Sequence, residues 1–101
     1  MVRSRRLGRQ LDGLVEAVLM LRNKEEARRF LEDLCTTAEL KTLAQRWEAA
    51  QMLDGGLTYE AIEAKTGMSS ATISRIRRAM TQGSDGYGLL LGRLKRRVRA
   101  R

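Results

Sequence analysis

Hydrophobic residues recur at helical spacing through most of this chain, separated by polar residues and glycines that favour helix starts and stops. Three long segments carry the pattern: LDGLVEAVLMLRN at 11–23, NKEEARRFLEDLC at 23–35 and TTAELKTLAQRWEAAQMLDGG at 36–56. The first has apolar residues on more than one helical face, which predicts burial on several sides. We therefore expect three successive helices in the first half of the chain.

Local signals mark the ends of these helices. Asn23 is followed three residues later by Glu26, and Thr36 by Glu39 in the same way. This spacing is typical of a capping box, in which the two residues satisfy each other's backbone N–H groups. Two glycines at 55 and 56 follow the third segment, and glycine favours the left-handed conformation that often ends a helix.

Two shorter segments follow with the layout of a helix-turn-helix. TYEAIEAK at 58–65 and SATISRIRRAM at 70–80 are separated by Gly67, which can take a positive φ in a tight turn. Ile73 and Ile76 start an apolar stripe on the second of these segments. A final apolar and basic segment follows the turn signal GSDGYG. About six helices with short connections predict an all-α domain.

The face opposite the apolar stripe suits the major groove of DNA. Small side chains lie at its N-terminal end and cations further along, so that end can approach base edges while Arg77 and Arg78 reach phosphates. The alternative is an amphipathic surface helix with a solvated basic face. Glu63 is a departure, because helix-turn-helix motifs usually have a small residue there. The candidate DNA-binding residues are Thr58, Tyr59, Ser69, Ser70, Ala71, Thr72, Ser74, Arg75, Arg77 and Arg78.

Positive charge is concentrated at the two ends of the chain. The 20 basic and 12 acidic residues give a formal net charge of +8, which indicates a polyanionic partner, nucleic acid before an anionic membrane. The first nine residues carry +4 and the last nine +6, so residues 10–92 carry −2. We expect a basic N-terminal tail at 1–10, a helical domain at 11–92 with the helix-turn-helix at about 58–80, and a basic C-terminal tail at 93–101.

The composition excludes several kinds of site. The chain has no histidine and one cysteine, which argues against a zinc site and rules out an intrachain disulfide. No nucleophile and base are paired as in an enzyme. Apolar runs are too short to span a bilayer, and Asp12 and Glu16 interrupt the first one, unlike a signal peptide. We expect a cytoplasmic protein that is not an enzyme and needs no metal or cofactor.

Four motifs follow one another between Thr36 and Tyr87: TTAELKTLAQRWEAAQML, GLTYEAI, TGMSSATISR and SDGY. Their joint order and spacing resemble the Trp repressor family, and more closely the TrpR-related YerC/YecD proteins. The resemblance implies an intertwined homodimer with interlocked N-terminal helices. It also implies a transcription regulator, a repressor, that binds double-stranded DNA at two half-sites about one helical turn apart.

The resemblance also identifies a possible effector pocket. Two arginines that flank the corepressor indole in Trp repressors match Arg46 and Arg75, and a pocket threonine matches Thr36. A glycine that leaves room for the ligand is Ile76 here, and a serine that binds the ligand's amino group is Ala79. These departures predict a regulator that does not depend on tryptophan, in which Ile76 fills the pocket and both arginines form ion pairs.

Two other functions stay open on the sequence alone. In the first, Arg46 and Arg75 bind a small anionic effector in a reshaped pocket. In the second, the chain is a protein-interaction module such as an antitoxin-like partner. The basic residues of the first short helix of Trp repressors correspond to Glu60 and Glu63 here. Phosphate binding is therefore expected to rest on the arginines of the second short helix and on the tails.

Overall fold

A computed structural model describes residues 5–100 of the chain, which contain six α-helices and the short loops between them. They are α1 (Arg5–Met20), α2 (Lys24–Leu34), α3 (Thr37–Asp54), α4 (Tyr59–Thr66), α5 (Ser70–Gln82) and α6 (Gly86–Arg99). These residues contain no strand, which confirms the predicted all-α class. Arg3 and Arg101 lie outside the described residues. The chain divides into two compact units, Met1–Leu40 and Lys41–Arg101.

The first unit is dominated by α1, whose apolar side chains remain accessible. The helix begins at Arg5, earlier than the hydrophobic pattern predicts, and none of its residues is buried. Leu11 retains 37% of its exposure and Val18 retains 47%. The expected burial of this helix on several sides is therefore not met within a single chain.

Side-chain caps start α2 and α3 at the predicted residues. The Asn23 side chain accepts a hydrogen bond from the Glu26 N–H at 2.9 Å. The Glu39 N–H donates to the Thr36 hydroxyl at 3.1 Å, and the Thr36 N–H donates to the Glu39 carboxylate at 2.8 Å. At α2 the Glu26 carboxylate accepts from the Arg22 N–H instead, at 2.9 Å. The reciprocal capping box predicted at α3 is therefore complete, whereas the one at α2 is shifted by one residue.

The capping box of α3 makes stability depend on pH. The Thr36 backbone N–H, and then its hydroxyl, hold the pKa of Glu39 below its ordinary value of 4.5. A carboxylate with a lowered folded-state pKa stabilises the fold fully above the unfolded pKa, and this contribution is lost as pH falls through the folded pKa. We expect Glu39→Gln to lower the melting temperature by a constant amount above about pH 4.5. The difference from the wild type should shrink below that pH, and a difference that stays constant down to pH 3 would contradict the assignment.

The core of the second unit lies where α3, α4 and α5 meet. Its buried members are Ala49, Ala50, Leu53, Ile62, Ile73 and Ile76. The two alanines of α3 have no exposed surface, and their small side chains leave room for the isoleucines of α4 and α5 at native packing density. Ile73 and Ile76 thereby fix one face of α5 against the core, and the other faces of this helix remain in solvent.

The basic ends of the chain are helical where the structure describes them. The sequence predicts separate tails, but residues 5–10 belong to α1 and residues 93–99 to α6. On α6, Leu91 is buried and the Lys95 ammonium binds the Asp54 carboxylate at 2.9 Å. These contacts hold the helix against its own unit as far as its cationic end. No helix within residues 5–100 is long and apolar enough to cross a membrane.

Candidate DNA-binding surface

The turn between α4 and α5 is closed by short hydrogen bonds. Gly67 has φ +76° and its N–H donates to the Glu63 carbonyl at 2.8 Å. The Thr66 hydroxyl donates to the Ile62 carbonyl at 2.7 Å and accepts from the Met68 N–H at 3.1 Å. These bonds satisfy backbone groups that the end of α4 would otherwise leave without partners. The turn therefore sets the direction in which α5 leaves the core, as the sequence predicts for a helix-turn-helix.

The positive φ at Gly67 gives a direct test of this turn. A Cβ atom built there meets nothing within 4 Å, so the cost of Gly67→Ala comes from the left-handed backbone alone. We expect this variant to be less stable by about 1–2 kcal/mol in denaturant unfolding.

Gly13→Ala is the matched control for the turn variant. Gly13 lies inside α1 without a positive φ, and a Cβ there also meets nothing within 4 Å. The control is expected to gain about 0.5–1 kcal/mol from the higher helix propensity of alanine. Equal effects of the two substitutions would contradict a conformational role for Gly67.

The solvent face of α5 carries half of the predicted DNA-binding residues. Opposite Ile73 and Ile76 lie five exposed side chains that form no hydrogen bond or ion pair among residues 5–100. They are Ser70, Ala71, Ser74, Arg77 and Arg78. We call these five residues the α5 face. Its N-terminal half is small and polar and its C-terminal half is cationic, as the sequence predicts.

Other predicted residues of this surface have structural roles. The Thr58 hydroxyl caps α4 by accepting from the Ala61 N–H at 3.1 Å. The Ser69 hydroxyl caps α5 by accepting from the Thr72 N–H at 3.2 Å, and the two hydroxyls lie 3.0 Å apart. Tyr59 is half-buried and packs against the core. These four side chains hold the two helices in place, and Thr58 and Ser69 remain exposed beside the α5 face.

Arg75 is not part of the α5 face and instead lines a cavity between α3, α5 and α6. The cavity has a volume of about 520 Å³. Its lining residues are Thr42, Gln45, Arg46, Met68, Thr72, Arg75, Ile76, Ala79 and Tyr87. Ile76 stands at the wall, 4% exposed, and does not fill the space as the sequence predicts, because its side chain is packed into the core.

The two cavity arginines differ from expectation in a second way. Neither Arg46 nor Arg75 forms an ion pair among residues 5–100, where the ion pair present joins Lys95 to Asp54. The expected ion pairs are therefore absent among the described residues, and the two guanidinium groups line one cavity that has no carboxylate among its lining residues. Thr36 is not among the lining residues. Its hydroxyl instead accepts the capping hydrogen bond that starts α3.

The sequence of these helices also matches a known protein family. Residues 9–95 match the Trp repressor protein family. The chain belongs to the Trp repressor family. It is 49% identical over 88 residues to the uncharacterized protein YerC of Bacillus subtilis (strain 168). The aligned residues cover 87% of this chain and 85% of that protein. The resemblance found in the sequence is thereby confirmed.

Solved structures similar to this Trp repressor family member share its fold. A candidate Trp repressor from Staphylococcus aureus superposes with a TM-score of 0.83 at 42% identity, covering 94% of this chain and 96% of that one. A TrpR-like protein from Eubacterium eligens ATCC 27750 superposes with a TM-score of 0.81 at 44% identity, covering 86% and 90%. The Trp repressor fold therefore applies to both compact units of the chain.

Two lining residues of the cavity in this Trp repressor family member, Thr42 and Tyr87, are not among the residues predicted from the sequence. Thr42 lies one helical turn before Arg46 on α3, so its place beside Arg46 could be predicted from helical spacing alone. Tyr87 comes from α6 and stacks on Trp47, with ring centroids 6.4 Å apart. No local pattern signals that contact, because it depends on how α6 packs. Within residues 5–100, no three His, Cys, Asp or Glu side chains are grouped to hold a metal ion.

Proposed function

We propose that this member of the Trp repressor family is a homodimeric transcription regulator, a repressor, that places α5 in the major groove of specific DNA sequences. The α5 face is the observation that supports the proposal most directly. Its small side chains lie at the start of the helix, where they allow close approach to base edges. Its cations lie one to two turns later, where phosphates flank the groove.

Each residue of the α5 face takes a distinct part in the proposed interface. Ser70 and Ser74 supply hydroxyl groups that donate or accept hydrogen bonds at base edges, and the Ala71 methyl contacts a thymine methyl group. Arg77 and Arg78 bind phosphates. They therefore set the position of the helix and the dependence on salt, whereas the serines set the preferred sequence.

The open apolar side of α1 supports the proposed dimer. Leu7, Leu11, Leu14, Val15 and Val18 lie at helical spacing along one side of α1. We call these five residues the α1 stripe. Their exposed fractions run from 37% to 47%, and a contiguous apolar stripe of this kind indicates a surface that another chain covers. A second copy of the chain gives an isologous interface with one helix-turn-helix on each side.

Selection of bound sequences from a pool of random duplexes tests this function. A symmetric dimer is expected to enrich a palindrome with half-sites about 10–10.5 base pairs apart. Ser70→Ala and Ser74→Ala are expected to change the enriched sequence, whereas Arg77→Gln is expected to weaken binding to all sequences similarly. Absence of binding to any duplex at low salt would overturn the proposal.

A second candidate function adds control by a small anion. Arg46 and Arg75 form no ion pair within residues 5–100. This supports the candidate, because two guanidinium groups at one cavity favour an anionic ligand. Ile76 and Ala79 differ from the residues that hold tryptophan in Trp repressors, so we propose that tryptophan is not the effector.

Calorimetry with tryptophan and with other small carboxylates and phosphates tests this candidate. Heat and a raised melting temperature with an anion other than tryptophan would support it, and Arg46→Gln should abolish both. Binding of tryptophan that strengthens binding to the selected duplex would contradict the proposed independence from tryptophan. No response to any of these ligands would leave regulation without an effector as the better interpretation.

A further inference from the structure

We infer that α6 carries a second surface for the DNA backbone, formed by Arg93, Arg96 and Arg97. This surface adds non-specific affinity to the sequence reading of α5, and it rests on the proposed function because its partner is the same duplex. The sequence predicts phosphate binding by a basic tail at 93–101, without a defined surface. The structure places these arginines on a helix that is fixed to the second unit.

The three arginines share one side of α6. Positions i, i+3 and i+4 are neighbours on a helix surface, and this side points away from the buried Leu91. Arg93 and Arg97 are one turn apart, about 6 Å along the helix axis. All three side chains are exposed. They therefore present a compact patch of three positive charges, rather than charges scattered along a flexible segment.

These charges have no partner within the described chain. No carboxylate pairs with Arg93, Arg96 or Arg97 among residues 5–100, although Asp54 pairs with the neighbouring Lys95 at 2.9 Å. The α6 sequence GYGLLLGRLKRRVR contains no acidic residue. The charge of Lys95 is neutralised by Asp54, whereas the charges of Arg93, Arg96 and Arg97 are left for an external polyanion.

Stabilisation of the helix end accounts for only part of this patch. Cations favour the C-terminus of a helix, and Arg96 and Arg97 lie in the last turn, to which this effect is confined. Arg93 lies outside it, six residues before the end of α6 at Arg99. The dipole also does not require the cations to gather on one side. Because a phosphate backbone does require it, the clustering favours a nucleic-acid partner.

Duplex DNA fits this surface better than an anionic membrane. An interfacial helix lays a continuous apolar side into the lipid, but Leu91 is buried and Leu94 half-buried against the unit itself. The apolar neighbours on the outward side are Leu89 and Leu90, within the first two turns. The outward side is therefore mainly cationic, which suits the phosphates of the DNA that α5 reads.

The salt dependence of binding to a fixed duplex tests this inference. The triple variant Arg93→Gln, Arg96→Gln, Arg97→Gln is measured against the wild type over a range of salt concentrations. Each phosphate that an arginine neutralises adds about 0.9 to the slope of log K against log salt, so the slope should fall by about 2.7 per chain. The sequence preference in the random pool should stay the same. Replacing the same three residues with lysine should restore most of the affinity.

A charge-matched variant separates this surface from the net charge of the protein. Arg22→Gln, Arg28→Gln, Arg29→Gln removes three exposed arginines at and near α2, and its slope should change by less than about one unit. Equal slopes for the two triple variants would overturn the inference while leaving the proposed function intact. Failure of the wild type to bind any duplex would overturn both.

Two further measurements keep the test decisive. Circular dichroism checks that α6 stays folded in the triple glutamine variant. If it does not stay folded, the single variants Arg93→Gln, Arg96→Gln and Arg97→Gln are measured instead. Each should lower the slope by about 0.9, and unchanged slopes for all three would overturn the inference. Loss of binding to phosphatidylserine vesicles with unchanged duplex binding would also overturn it, in favour of a membrane.

Discussion

Replacing Ala71 with glutamate is expected to abolish specific DNA binding while leaving the fold intact. Ala71 is exposed on α5 and lies between Ser70 and Ser74 on the α5 face. A longer, negatively charged side chain there prevents close approach to base edges and repels the phosphates. Removing the interactions with base edges costs about 1–3 kcal/mol, and repulsion adds to this. We therefore expect affinity for the selected duplex to fall at least about 100-fold, measured by fluorescence anisotropy at fixed salt.

Ala64→Glu is the matched control for this variant. Ala64 is also an exposed alanine inside a helix of the helix-turn-helix, but it lies on α4 beside Glu63, where the surface is already acidic. Its effect on affinity is expected to stay below about tenfold. Both variants should unfold within about 0.5 kcal/mol of the wild type, because both sites are on the surface. Retained binding by Ala71→Glu, or equal losses of affinity in both variants, would remove α5 from the proposed major-groove contact.

The fold was largely predictable because its determinants are local. The caps at Asn23, Thr36 and Ser69 and the left-handed Gly67 each leave a signal within a few residues. The buried stripe of α5 follows in the same way from helical spacing at Ile73 and Ile76. What spacing cannot supply is the environment of each side chain once helices pack. The extent of α6 does not follow from spacing, since Leu91 and Lys95 anchor the helix through contacts with distant residues.

The cavity shows where family comparison alone misleads. A branched residue in place of a glycine predicts a filled pocket, but Ile76 turns into the core and leaves about 520 Å³ beside it. The ion pairs predicted for Arg46 and Arg75 also required carboxylates, which the sequence cannot place. The direction of a side chain and the position of its ion-pair partner both depend on tertiary packing. The resemblance therefore located the cavity, but it did not predict whether Ile76 fills it or whether carboxylates pair with its arginines.

Replacing Val18 with glutamate is expected to dissociate the proposed dimer. Val18 belongs to the α1 stripe and is 47% exposed in the single chain. Burial of a valine side chain contributes about 1.5–3 kcal/mol, and a two-fold interface contains each change twice. The dimer dissociation constant should therefore rise at least about 100-fold. Sedimentation equilibrium measures this directly, and the monomer should lose high-affinity binding to the palindrome because only one half-site is held at a time.

Gln10→Glu separates this effect from the added charge. Gln10 is exposed on the same helix outside the α1 stripe, so the control adds one negative charge without replacing an apolar contact, and it should remain dimeric at the same concentration.

Duplexes with a single half-site separate loss of the dimer from loss of DNA binding by each chain. Val18→Glu and the wild type should bind them with similar affinity, because the α5 face is unchanged in each chain. A Val18→Glu protein that stays dimeric would show that the α1 stripe is not the interface, whereas one that also loses half-site binding would show that dimerisation supports the fold of the helix-turn-helix itself.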